Sequence, residues 1–144
     1  MYRHVLAAID FDGHAEAVGR RAIALAKAFN ARLQVMHVVE YVPIDPTGEG
    51  LLPGTLEVSA TLREQAERQL AEWCRQHQLD EIPQLLGAGS VDHEILRVAR
   101  DEGCDLIVIG SHRPHGLKLI LGSTEDSVRH KAHCDVLAVH LSDH

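Results

Sequence analysis

The chain has 144 residues, 45% of them hydrophobic but only 3% aromatic; that length is ordinary for one domain, residues 1–144, and suffices for a core of Val, Ile, Leu and Ala without disulfides or a structural metal. Fourteen Lys and Arg against twenty-one Asp and Glu leave a formal charge of -7, which argues against nucleic acid as a partner, since such binding rests on neutralising phosphates. No run approaches the roughly 18 apolar residues of a membrane span and the N-terminal MYRHVLAAID lacks the apolar stretch of a secretory signal, so a cytoplasmic protein without a membrane partner is expected.

The first apolar run, RHVLAAI at residues 3–9, predicts a strand ending at Asp10, and DFDGH predicts a turn. Val18, Ala22, Leu25, Ala26 and Phe29 then share one helical face over residues 15–29, with Asn30 as the stop. Residues 31–39, ARLQVMHVV, follow as a second strand rich in β-branched side chains. Residues 40–54 hold three prolines and three glycines and predict a loop. After it, Thr55 is placed to cap a helix running to about residue 78, with Val58, Leu62, Ala66, Leu70, Trp73 and His77 at helical spacing.

EIPQLLG at 81–87 predicts a weaker third strand, Pro83 being tolerable at its start or edge. Ser90 is placed to cap the next helix, whose apolar face is Val91, Ile95, Val98 and Ala99 and which Gly103 ends. DLIVIG at 105–110 is a nearly continuous apolar strand. A last helix is expected near 124–131 with Thr124 and Val128 inward, and DVLAVHL at 135–141 is the final strand. Strands alternating with helices predict a doubly wound, three-layer α/β/α domain on a five-stranded, mostly parallel sheet.

In such a sheet ligands bind beyond the C-terminal strand ends where the strand order reverses. Asp10 and Gly110 both stand at such ends. The segment GSHRPHGLKLILGST, residues 110–124, has glycines near both ends and a hydroxyl pair after the second. A nucleotide crevice built on these ends takes in Ala8, Ile9, Asp10, Val38, Gly110, Ser111, His112, Gly122, Ser123 and Thr124. Asp10 can accept hydrogen bonds from ribose hydroxyls, and the amides near Ser123 and Thr124 can receive phosphate oxygens at a helix start. Equally, Asp10 can brace its turn, and Ser123 or Thr124 can cap the last helix. Neither GxGxxG nor GxxxxGK[ST] occurs.

Other chemistries have less support. His112 and His115, and His130 and His133 beside Cys134, are spaced for imidazole and thiolate ligation, but two pairs do not make a four-ligand site and no metal is assigned. His37 and His140 lie within strands as packing or hydrogen-bonding residues. Cys74, Cys104 and Cys134 form no CxxC pair and are expected as free thiols. The absence of GxSxG and HExxH leaves no catalytic residue to assign.

MYRHVLAAID, the strand ending in MHVV at 36–39, DLIVIGSH, and LGSTEDSVRHKAHCDVLAVHL together resemble the universal stress protein family along essentially the whole chain. The resemblance implies a five-stranded parallel sheet in the order 3-2-1-4-5, a cytoplasmic role in stress survival, and a homodimer. Members that bind ATP carry G-x2-G-x9-G-[ST]. Here Gly110 matches the first glycine, Arg113 stands at the second, and Gly122 arrives one residue early, with Ser123 at the hydroxyl position. Asp10 corresponds to the acidic residue near the ribose, and Val38 to the strand-two contact with adenine. Arg113 removes the freedom and close approach that glycine allows, Pro114 restricts the backbone further, and only the positive charge of Arg113 speaks for phosphate. The expected function is therefore stress survival through protein contacts without turnover, with ATP as a possible cofactor of an alternative, ATP-binding switch or weak ATPase. The expected partners are a second copy, joined through strand 135–141, and other proteins that the sequence does not name.

Overall fold

The computed structural model describes residues 1–11, 15–40, 53–111 and 124–141, without the side chains of residues 40 and 53–59. In chain order the elements are β1 (His4–Ala8), α1 (Ala15–Phe29), β2 (Arg32–Glu40), α2 (Pro53–Gln76), β3 (Gln84–Gly89), α3 (Val91–Asp101), β4 (Leu106–Ser111), α4 (Thr124–Lys131) and β5 (Asp135–His140). The five strands form one sheet in the order β3-β2-β1-β4-β5, and every pairing is parallel. This is the expected α/β architecture and the expected order.

Alternation along the strands divides the core into two layers. Val5, Ala7, Leu33, Val35, Leu106 and Val108 pack beneath α1 and α2. Leu6, Met36, Val38, Ile107 and Ile109 pack on the other face beneath α3 and α4. Both faces of the central strands are therefore covered, and Val5, Leu6, Ile107 and Val108 are fully buried.

Three helices end in the same way. Asn30 at φ 52°, Gln78 at φ 61° and Gly103 at φ 67° each take the left-handed conformation just beyond a helix. In each case the next amide reaches back to the last turn: Ala31 N–H donates to Ala26 O at 2.8 Å, Leu79 to Cys74 at 2.8 Å, and Cys104 to Ala99 at 2.9 Å. These bonds satisfy carbonyls that the helices leave open and turn the chain toward the next strand. Asn30 and Gly103 are legible as stops; Gln78 is not, having neither glycine's freedom nor the short polar side chain of Asn.

Several boundaries differ from expectation. Helix α2 starts at Pro53, not after a Thr55 cap, because proline suits the first helical position, where its missing N–H leaves no intrahelical bond unmade. Thr55 thus lies within the helix. Strand β3 begins at Gln84, three residues later than the sequence pattern suggests: Ile82 N–H closes a turn onto Leu79 O at 3.2 Å, and Pro83 contributes only its carbonyl, to Val35 N–H at 3.1 Å. Ser90 occupies the N-cap of α3 in an extended conformation, but its side chain makes no capping bond; its hydroxyl donates to Asp92 instead.

The expected helix faces are mostly confirmed. Val18, Ala22 and Ala26 of α1, Ala66, Leu70 and Trp73 of α2, and Ile95, Val98 and Ala99 of α3 are buried. Phe29 is 36% exposed and meets Tyr2 edge-on, with centroids 5.1 Å apart. Leu62 is 45% exposed because α2, 24 residues long, spans about 36 Å and outruns the strands it covers. In α4 only Val128 is buried, while Thr124, expected inward, is exposed. It is the first residue of the helix.

Candidate functional site

The strand order reverses between β1 and β4. Their ladder, Val5↔Leu106 through Ala7↔Val108, carries Ile9–Asp10 and Gly110–Ser111 to one end of the sheet. Ala8 ends β1, half-buried and opposite Met36. Ile9 is buried; its N–H donates to Met36 O at 2.8 Å, and its carbonyl accepts from His37 Nδ1 at 2.7 Å. A carbonyl only accepts, so the proton of that bond sits on Nδ1. Asp10 follows with an exposed side chain. Val38 lies one strand over, buried under the α3 layer.

Gly110 pairs with Val139, and Ser111 with His140. At Gly110 a Cβ would stand 2.7 Å from Leu141 Cδ1 and 3.3 Å from Val18 Cγ2. The glycine thus makes room for packing between α1 and the residue after β5. Ser111 O accepts from Leu141 N–H at 3.3 Å, which holds that residue in place. Thr124 opens α4, where backbone N–H groups lack intrahelical partners and Glu125 and Asp126 follow in the first turn. Those two carboxylates complement the helix dipole, and they oppose an anion there. His112, Arg113, Gly122 and Ser123 lie outside the described residues.

The site thus brings together Ala8, Ile9, Asp10, Gly110 and Ser111 at adjoining strand ends. Of these, Asp10 is exposed, whereas Gly110 serves the core. Two aromatic rings that the sequence pattern does not signal stand beside these residues: Phe11 meets His37 with centroids 4.7 Å apart and planes at 60°. The pattern shows a histidine within a strand and a lone aromatic after Asp10, and nothing in their spacing says that they touch.

A polar clasp lies between α3 and α4. Ser127 Oγ donates to Asp92 Oδ2 at 2.5 Å, and Asp92 Oδ1 accepts from Ser90 Oγ and from His93 N–H at 2.8 Å. The hydroxyl of Ser127, then that of Ser90, holds the Asp92 carboxyl below the usual carboxylate range, outweighing its desolvation. On the other face, His77 ties α2 to the first turn of α1. Its Nδ1 donates to Trp73 O at 2.8 Å, and its Nε2 meets Glu16 Oε1 at 2.8 Å. The hydrogen bond from His77 lowers the Glu16 pKa. His130 and His133 are exposed, and among the described residues no three His, Cys, Asp or Glu side chains converge to hold a metal.

The model of the universal stress protein family matches residues 1–140. The chain belongs to this family. It is 37% identical over 142 residues to universal stress protein A homolog 1 of Coxiella burnetii, covering 99% of each chain. Among solved structures, the universal stress protein UspA from Lactobacillus plantarum superposes with a TM-score of 0.70 at 24% identity, over 96% of this chain and 97% of that one. A universal stress protein in complex with cAMP superposes with a TM-score of 0.64 at 22% identity, over 98% of each. At those identities the two structures support the fold. Among the described residues of this universal stress protein, no helix is long and apolar enough to cross a membrane.

Proposed function

We propose that this universal stress protein acts in the cytoplasm to support survival under stress through protein contacts, pairing with a second copy along β5, without catalytic turnover. The observation that supports this reading best is the state of β5. It is the edge strand, bonded to β4 on one side, and Val136, Leu137 and Ala138 are only half-buried. Such an edge offers unpaired N–H and C=O groups, and a two-fold related copy satisfies them while covering those apolar side chains. Light scattering over a concentration series tests it: twice the monomer mass at micromolar concentration is expected, and monomer mass through the high-micromolar range overturns it.

The second reading is an ATP-binding switch or weak ATPase. In its favour are the reversal of strand order between β1 and β4 and the exposed side chains of Asp10 and Thr124 beyond the strands. Against it stand the packing role of Gly110, at the position of the first motif glycine, and Arg113 at the second. One charge does not restore the close approach of backbone to phosphate that a missing glycine allows. A nucleotide titration separates the two readings.

A further inference from the structure

We propose that Cys104 and Cys134 form a paired thiol site, which a small disulfide of the glutathione type oxidises to an intramolecular disulfide. Cys104 follows the left-handed Gly103, its N–H fixed to Ala99 O at 2.9 Å. Cys134 immediately precedes β5. The β4–β5 ladder opens at Leu106↔Asp135, so Cys104, two residues before β4, and Cys134, one residue before β5, both precede its first rung. A disulfide needs Cα atoms about 4.4–6.8 Å apart, and the Cys104 thiol stands near enough to Cys134 to feel its charge.

Two further observations bring the thiols together. Both belong to the apolar layer beneath α3 and α4, Cys104 within it at 3% exposure and Cys134 half-buried against it. Both also line one surface cavity of ≈ 530 Å³, with Tyr2, Asp105 and Asp135 around them. Cys74 is buried in the opposite layer with Trp73 and Leu79, and so is left out of the pair. The site lies at the N-terminal ends of the strands, away from the Asp10–Gly110 crevice, and does not depend on either functional reading.

The more exposed Cys134 reacts first. Its thiolate attacks one sulfur of the small disulfide, forming a mixed disulfide and releasing one small thiol. The Cys104 thiolate then attacks the Cys134 sulfur and expels the second. Two protein thiols are oxidised, one small disulfide is reduced to two thiols, and the protons pass through solvent. Burial pushes the Cys104 thiol up to about 12, and burial, followed by the nearby Asp135 and Asp105 carboxylates, raises Cys134. Exchange is therefore slow at neutral pH and rises about tenfold per pH unit between about pH 7 and 9. Closure encloses α4 and residues 112–123 in one covalent loop and joins the starts of β4 and β5.

The test incubates the full-length protein with oxidised glutathione at about pH 8.5 for about a day, followed by intact mass, maleimide labelling and peptide mapping. The expected product has lost two hydrogens, carries no glutathione, links Cys104 to Cys134 and leaves Cys74 free. Cys104→Ser should trap glutathione on Cys134, and Cys134→Ser should abolish the reaction. A glutathione adduct that persists on the natural chain, a link that includes Cys74 or joins two chains, or three thiols still free after that time overturns the proposal. The mapping of the natural chain decides the matter even if the buried Cys104→Ser variant does not fold.

Discussion

Leu141 fills the space that a side chain on Gly110 would need: a Cβ there would lie 2.7 Å from Leu141 Cδ1, and Val18 Cγ2 closes the other side at 3.3 Å. Both neighbours are buried, at 5% and 3% exposure, so neither moves without disturbing the layer under α1. Gly110→Ala should therefore destabilise the fold by about 1–3 kcal/mol, the usual range for overpacking. Urea unfolding checks this, and Gly110→Ala combined with Leu141→Ala should cost less than the sum of the two changes. Strict additivity would show that the two residues do not share the space.

The contact between Gly19 and Trp73 is tighter. A Cβ on Gly19 would fall 2.2 Å from Trp73 Cζ2, and the indole, stacked on His77 with centroids 4.1 Å apart, is a rigid neighbour. Gly19→Ala should cost about 3 kcal/mol, at the upper end of the overpacking range and more than Gly110→Ala. Comparison of the two urea midpoints tests that order.

Asp105 pins the start of β1 to the start of β4. Its two carboxylate oxygens accept from Arg3 N–H at 2.9 Å and His4 N–H at 3.0 Å, while its own N–H donates to His4 O at 3.0 Å. Desolvation is the largest single influence on its carboxyl and acts upward, but the N–H bonds of Arg3, His4 and its own backbone together leave the pKa lowered. A carboxyl lowered by folding adds stability above its unfolded pKa of about 4 and loses it as pH falls through the folded value. Asp105→Ala should cost about 1–3 kcal/mol at neutral pH, since two strand-end donors lose their acceptor. The deficit should shrink below about pH 4, as urea melts across acid pH will show.

Much of this arrangement is legible in the sequence. The alternation of β-branched runs with helical stripes predicts all the described elements, and Asn30 and Gly103 mark helix ends that the backbone angles bear out. The misplaced boundaries have local causes: Pro53 begins a helix inside a stretch rich in loop residues, and Pro83 supplies a carbonyl to a neighbouring strand without entering one. At the site, the sequence places Asp10 and Gly110 at adjoining strand ends but does not show why Gly110 is glycine. Val18 and Leu141 are remote in sequence from Gly110, so no spacing rule links them. Contacts between His37 and Phe11, and between Asp92 and Ser127, are hidden for the same reason.

The Asp92–Ser127 bond is a direct side-chain hydrogen bond between α3 and the short α4. Ser127→Ala should speed amide exchange in residues 124–131 several-fold and leave β1 and β4 unchanged, as mass spectrometry of the exchanged peptides will show. Because the Asp92 carboxyl is lowered, chiefly by Ser127, the tie contributes above its unfolded pKa and weakens as pH falls through the folded value, below about pH 4. Exchange in α4 that is indifferent to Ser127 would assign its order to Val128 packing alone.

We propose that this universal stress protein works through protein contacts without a nucleotide in its crevice. Calorimetric titration of nucleotide-free protein with ATP and Mg2+ tests it most directly. The prediction is no saturable heat up to millimolar ATP, with Asp10→Ala indistinguishable from the natural chain. Saturable binding at micromolar ATP that Asp10→Ala abolishes would contradict the claim and establish the crevice between β1 and β4 as a nucleotide site.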